Sequence, residues 1–222
     1  SITRHDILNQ LTVLSGYLSL SEEYTSDEKL RDFIKKETTA AERINQQIAF
    51  TKEYQDIGVH APQWQNLHDT IVTAASHIEM SLIDLQVHFS DIEIYADPLV
   101  GKVFYNLLDN AVRHGKTTSS IQFSYRENGT KLTIIYDDNG VGIDPEIKKR
   151  LFMRGNGIIH GYGLFLIREI LAITGISIDE TGEPGKGARF EITIPTGAYR
   201  FTATRKVTNG NTSQESKTTG MG

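Results

Sequence analysis

Two patterns of hydrophobic positions divide the chain. In residues 2–24, Ile7, Leu11, Leu14 and Leu18 recur at steps of four, three and four, the spacing of an apolar seam along a helix. Thr25-Ser-Asp-Glu28 has the form of a capping box and opens a second helix. There Leu30, Ile34, Glu37, Ala41, Ile44, Ile48 and Thr51 keep the beat, with Glu37 and Thr51 as polar members. Two such helices alone have nowhere to bury their seams. The expectation is an antiparallel hairpin that becomes a four-helix bundle when two chains pair. After Gly58 and Pro62 the helical beat gives way to short alternating runs. Residues 63–65, 86–89, 93–95, 120–125, 131–137, 176–179 and 188–194 read as strands, with Glu127-Asn-Gly129 as a hairpin signal. Residues 67–78 and 145–152 read as helices, and so does the stretch from the Gly161-Tyr-Gly163 entry to residue 174. A longer helix opens at Asp97-Pro98, with Asp97 as N-cap and Pro98 at the first helical position. The expected fold class is α+β: residues 1–57 form the hairpin, and residues 58–201 form an α/β sandwich with a mixed sheet and helices on one face. Residues 202–222 are almost purely polar and read as a disordered tail.

Composition narrows the function. The chain has 222 residues, 38% hydrophobic and 23% charged, so a globular core is within reach. A net charge of -5 argues against a nucleic-acid or membrane-surface role. With no cysteine there is no thiolate metal site and no disulfide framework, as suits a reducing, cytoplasmic setting. No apolar run approaches the roughly 20 residues that cross a bilayer. The chain opens inside a helical pattern without an obvious cap, the expectation being a fragment of a longer protein whose missing segments could associate with a membrane.

Candidate chemistry begins in residues 102–115. Val103, Phe104, Leu107, Leu108 and Ala111 form a core-facing stripe. On the other face Asn106 and Asn110 are four apart, Arg113 follows one turn on, and Asp109 lies beside them. An amide oxygen can ligate a hard cation and a guanidinium can hold phosphate oxygens, so this ridge suits a metal–polyphosphate. Asp138-Asn-Gly-Val-Gly142 follows the apolar run Ile134-Ile135-Tyr136. Glycines at a strand end let backbone come close to a ligand, and a carboxylate there can accept a hydrogen bond from the exocyclic amine of adenine, where guanine presents a carbonyl. Gly161-Tyr-Gly163 stands before a helix start, where backbone N–H groups attract phosphate. Gly185-Lys-Gly187 is accounted for by a hairpin turn. His5 lies just off the apolar seam of the first helix, with Asp6 beside it and Asn9 one turn on. An imidazole keeps a nucleophilic nitrogen near neutral pH, and a neighbouring carboxylate can orient or take its proton. Each of these features alone also fits a solvated helix face, an ordinary turn, a hinge or a surface histidine.

Other matches fail. Gly115-Lys116-Thr117 ends a helix rather than starting one, and the remaining histidines lack metal spacing.

As a set, these residues resemble the sensor histidine kinases of two-component systems. His5-Asp-Ile-Leu-Asn9 is similar to the phosphoacceptor box, and the run from Asn106 to His114 to the asparagine box. Asp138-Asn-Gly-Val-Gly142 is similar to the first glycine box, Leu151-Phe152 to a shortened phenylalanine box, and Gly161-Tyr-Gly-Leu-Phe-Leu166 to the second glycine box. The resemblance implies a dimerisation and histidine-phosphotransfer hairpin followed by a Bergerat-type ATP-binding domain. It implies ATP and Mg2+ as cofactors, with Asn110 as the metal ligand. Asn106, Asp109, Arg113 and His114 would lie near the nucleotide, as would Gly140, Gly142, Ile143, Gly163 and Leu164. Asp138 would read the adenine amine. Residues 153–160 would be the ATP lid, with Arg154 a phosphate contact and Gly161 at its end. His5 would attack the γ-phosphoryl group, Asp6 would assist proton removal, and Asn9 would position water for the reverse task. The implied partners are a response-regulator receiver domain and a second copy of the chain through residues 1–57. Nucleic acid and membrane are not implied for this fragment. The chain departs from the pattern at Phe165, where a third glycine is usual, and at Arg113, where lysine is common. Three other readings stay open: a phosphatase-biased member, an ATP-switched scaffold, and an ATPase of the gyrase and mismatch-repair kind, which would carry a glutamate where Asn106 stands.

Overall fold

A computed structural model describes residues 2–153 and 162–202. Arg154, Gly161, nearly all of the expected lid and residues 203–222 of the expected tail lie outside the described residues.

The two N-terminal helices are α1 (Ile2–Tyr24) and α2 (Glu28–Asp56). Asp27 starts α2, its carboxylate accepting the N–H groups of Lys29 and Leu30. The seam is divided. Leu11, Leu18, Ile34 and Ala41 are buried between the two helices, whereas Ile7, Leu14, Leu30 and Ile44 remain exposed (44–48%). Every second seam position therefore faces outward. The Arg4 guanidinium donates to Gln55 Oε1 at 2.6 Å, so the N-terminus of α1 lies beside the C-terminus of α2.

The remainder holds β1 (Gln63–Asn66), α3 (Leu67–Ala75), β2 (Asp84–Val87), β3 (Ile92–Ala96), α4 (Val100–His114), β4 (Ser120–Asn128) and β5 (Lys131–Asp138). It continues through α5 (Pro145–Lys148), α6 (Gly163–Ala172), β6 (Ser177–Glu180), β7 (Arg189–Pro195) and β8 (Tyr199–Phe201). A five-stranded sheet runs β2-β4-β5-β7-β6. It is mixed: β2 is parallel to β4 and the other pairs are antiparallel. On β7 the alternation is clean, with Phe190, Ile192 and Ile194 buried. The core also takes Phe104, Leu107 and Leu108 from α4 and Leu166, Ile167 and Ile170 from α6. Arg189 and Glu191, from the other side of β7, engage Asp137 and Arg126.

Several boundaries differ from expectation. A second sheet, β1-β3-β8, was not foreseen, because β8 is only three residues long. The expected helix over 67–78 stops at Ala75. The short helix begun at Asp144-Pro145 ends at Lys148 rather than near Phe152. Asp97 is not an N-cap, because α4 starts at Val100 behind Leu99. Asp97 is buried instead (1% exposed), with Oδ1 accepting the Leu99 N–H at 2.8 Å and Oδ2 accepting the Gly58 N–H at 2.9 Å. This carboxylate joins the segment after α2 to the start of α4. A buried carboxylate needs such donors.

One buried ion pair holds α5 in place. Lys148 Nζ lies 2.5 Å from Glu180 Oε2, on a side chain only 2% exposed, and it also donates to the Gly182 carbonyl. Glu180 Oε1 accepts the Gly182 N–H at 3.1 Å. Lys148→Met should therefore strand a buried carboxylate, at a cost of about 3 kcal/mol. For a chain of this size that corresponds to a melting point lower by roughly 6–12 °C. Thermal unfolding followed by circular dichroism measures it, and an unchanged midpoint would show that the pair is energetically neutral.

Candidate functional site

Helix α4 presents the polar ridge to one side and its apolar stripe to the core. Along the ridge Arg113 Nε donates to Asp109 Oδ1 at 2.8 Å, and this hydrogen bond raises the guanidinium pKa above its ordinary value. Asn106 Nδ2 donates to the Lys102 carbonyl at 2.8 Å. Its Oδ1 lies where a β-carbon on Gly163 would come within 2.5 Å, so glycine at the start of α6 lets that side chain pass. Burial lowers the His114 pKa below its ordinary value.

The glycine bend after β5 is built around Asp138. Its Oδ1 accepts the N–H groups of Gly140 at 2.9 Å and Ala188 at 3.0 Å, and its Oδ2 accepts the Tyr136 hydroxyl at 2.9 Å. The expectation that Gly142 serves ligand approach acquires a different reason. At φ 71° it packs beneath the 183–187 turn, and a β-carbon there would meet the carbonyls of Glu183 and Gly187 at 2.9 Å. Gly187, which a hairpin turn alone seemed to explain, has φ 102° and stands against the Asp138 carbonyl; a β-carbon would overlap that oxygen. It is thus a missed member of the site. Ala188 and Tyr136 were missed as well. Ala188 contributes only a backbone group, which leaves no side-chain signal, whereas a tyrosine two residues before the carboxylate on an apolar strand was a readable one.

The ridge and the bend converge. A cavity of about 410 Å³ is lined by Asn110, Arg113 and His114 from the ridge and by Asp138, Gly142 and Ile143 from the bend. Leu107, Ile147, Leu151, Leu164, Tyr136 and Phe190 give it an apolar interior. Asn110, Arg113, His114 and Leu164 also line a second cavity of about 460 Å³, which Asn106, Asp109 and Gly163 border. Gln46, Ala49, Phe50 and Glu53 of α2 complete its wall. Gly140 lines neither cavity and packs instead against Gly115 and Thr118.

The hairpin is seated against this second cavity. Phe50 stacks on Tyr162 with ring centroids 4.1 Å apart, and Tyr54 stacks on Phe165 at 6.0 Å. Glu53 pairs with Lys102 at 2.7 Å. Phe165, the departure from the glycine pattern, is thus a contact to α2. His5, Asp6 and Asn9 lie at the same end of the hairpin, as the Arg4–Gln55 bond requires. They do not line either cavity. The Asn9 amide is 3.2 Å from His5 Nδ1, the Asp6 carboxylate is 3.6 Å from the same nitrogen, and the imidazole is 77% exposed.

Comparison with known proteins shows what the chain is similar to. Residues 96–198 match the family described as histidine kinase-, DNA gyrase B-, and HSP90-like ATPase. The sensor protein KdpD of Escherichia coli K12 is 28% identical over 210 residues, covering 86% of this chain and 23% of that protein. The signal transduction histidine-protein kinase AtoS of the same organism is 25% identical over 206 residues, covering 86% of this chain and 33% of that protein. The chain thus spans a third or less of these relatives. Among solved structures, the histidine kinase ThkA in complex with the response regulator protein TrrA has a TM-score of 0.60 at 23% identity. That match covers 86% of this chain and 59% of the other. Full-length ShkA in complex with AMPPNP has a TM-score of 0.59 at 17% identity, covering 89% and 46% respectively, and both structures share the fold. Over most of its length the chain is thus similar to sensor histidine kinases, and its second half to their ATPase family.

Proposed function

We propose that this chain is an ATP-dependent protein-histidine kinase that phosphorylates its own His5 and passes the phosphoryl group to an aspartate of a response-regulator receiver domain. The observation that carries this reading is the shared cavity of Asn110 and Asp138: a cation-binding amide and an amine-reading carboxylate face one apolar chamber of about 410 Å³. The unfilled acceptor position on Asp138 Oδ2 fits an adenine amine. The donor set along α4 fits the phosphate end. Among the described residues no cluster of three or more His, Asp or Glu could hold a metal unaided, so magnesium would be held by Asn110 together with the nucleotide's own oxygens. When bound, it would neutralise charge on the phosphates. Arg113 would approach phosphate oxygens, and Asn106 and Asp109 would border them.

Residues 1–57 would act as the acceptor and pairing unit and residues 58–201 as the ATP-binding unit. His5 would attack through Nε2, because Asp6 and Asn9 both stand on the Nδ1 side. The N–P bond forms as the bond from the γ-phosphorus to the β,γ-bridging oxygen breaks and ADP leaves; in the reactive tautomer the Asn9 Nδ2 donor turns away from Nδ1, which carries the proton and passes it to Asp6. The outward seam residues Ile7, Leu14, Leu30 and Ile44 would be covered by a second copy of the hairpin. Among the solved neighbours one is in complex with AMPPNP and one with a response regulator, which supports the nucleotide and the partner. The Asn9 amide beside the imidazole favours a second activity, in which it positions water to hydrolyse the phosphorylated regulator.

Asn110→Ala tests the cavity reading. Calorimetry should show the wild-type protein binding ATP more tightly with Mg2+ than without, and the variant should lose that difference. An unchanged magnesium dependence would remove Asn110 as the ligand.

A further inference from the structure

The floor of the cavity carries a polar group that the kinase reading does not use. Tyr136 sits in the middle of β5, two residues before Asp138, so both side chains leave the strand on the same side. Phe123 on one neighbouring strand and Phe190 on the other hold its ring, at centroid distances of 5.3 and 5.9 Å. The side chain is 1% exposed, yet it lines the cavity, and its hydroxyl ends against Asp138. Burial first, and then the Asp138 charge, push the phenol pKa well above its ordinary value, so the hydroxyl keeps its proton and acts as a donor.

An ionised carboxylate offers about four acceptor positions. Three on Asp138 are taken: two by backbone N–H groups on Oδ1 and one by the Tyr136 hydroxyl on Oδ2. One position on Oδ2 is left for a ligand donor. The backbone bonds locate Oδ1, and among the described residues only the tyrosine locates Oδ2.

We propose that Tyr136 is a specificity-determining positioning residue, which makes the cavity select 6-amino over 6-oxo purines by fixing Asp138 Oδ2. This rests on the nucleotide reading above and deepens it. With the hydroxyl present, the remaining position accepts an amine and repels a carbonyl. Without it, a water takes the hydroxyl's place. Water can turn either a donor or an acceptor toward the ligand, so the distinction relaxes.

Tyr136→Phe keeps the ring and removes only the hydroxyl. Calorimetry on the full chain should compare ATP, its 6-oxo counterpart inosine triphosphate, and purine riboside triphosphate, which has hydrogen at position 6. In the wild type ATP should bind most tightly. In the variant ATP should weaken about tenfold, the worth of a hydrogen bond to a charged group, while the other two stay within about twofold. A merely structural role would weaken all three alike. Partial unfolding raises all three apparent dissociation constants by the same factor, so their ratio remains readable. In the Asp138→Ala background the same substitution should leave the ratio unchanged, since no carboxylate remains to be positioned. A wild type that selects ATP and a Tyr136→Phe variant that keeps that selectivity would overturn the proposal alone. A wild type that binds none of the three would overturn it together with the nucleotide reading.

Discussion

His5→Ala protein should bind ATP as the wild type does, yet take up no label from γ-labelled ATP. The imidazole is 77% exposed and lines neither cavity, so its loss removes no packing and no nucleotide contact. What it removes is the acceptor atom. The wild type should acquire a label that is stable in base and lost in acid, as a phosphorus–nitrogen bond requires. His5→Ala should fall to background, and Asp6→Asn should slow labelling by about 10²-fold, as expected when a positioned proton acceptor is removed. Asn9→Ala should label normally and, in the second activity proposed for this chain, fail to release phosphate from the regulator. Equal labelling of wild type and His5→Ala would reject His5 as the acceptor. Tight ATP binding with no labelling of either would favour the scaffold reading.

Asp138→Asn should have the largest effect on the nucleotide itself. The amide oxygen can keep the N–H groups of Gly140 and Ala188, and the amide nitrogen then replaces Oδ2. That nitrogen is a donor. It meets the Tyr136 hydroxyl, which can turn to accept, and it meets the adenine amine, which cannot. One favourable contact to a charged acceptor becomes a donor–donor conflict. ATP affinity should fall about 100-fold, close to 2.7 kcal/mol. Inosine triphosphate should bind the variant better than it binds the wild type, because its carbonyl can accept from the new amide. Competition against a fluorescent nucleotide measures both. Unaltered ATP affinity would place the carboxylate away from the purine.

Much of the site was legible in the chain because its parts are local. The polar ridge follows from the helical spacing of Asn106, Asn110 and Arg113, and the bend follows from glycines behind an apolar strand. The stripe of Val103, Phe104, Leu107, Leu108 and Ala111 is buried as its periodicity required. Where reading failed, the partner lay far along the chain. Gly187 looked like a turn glycine because the Asp138 carbonyl that excludes a side chain there is 49 residues away. Asp97 looked like a cap because Gly58, whose N–H it accepts, belongs to the segment leaving the hairpin. Phe165 looked like a defect in a glycine motif until Phe50 and Tyr54 of α2 were found against it.

The amino-acid order alone determined which residue types face which side of each helix and strand, because those periodicities are set within a few residues by backbone geometry. It also determined that the hairpin would be left with apolar positions to cover. The tertiary structure decided what each polar group touches: that Tyr136 and the Ala188 N–H complete the acceptor shell of Asp138, that Lys148 neutralises Glu180, and that α2 walls the second cavity. Those contacts join segments tens of residues apart, and packing, not local propensity, selects among the partners that each side chain could have met.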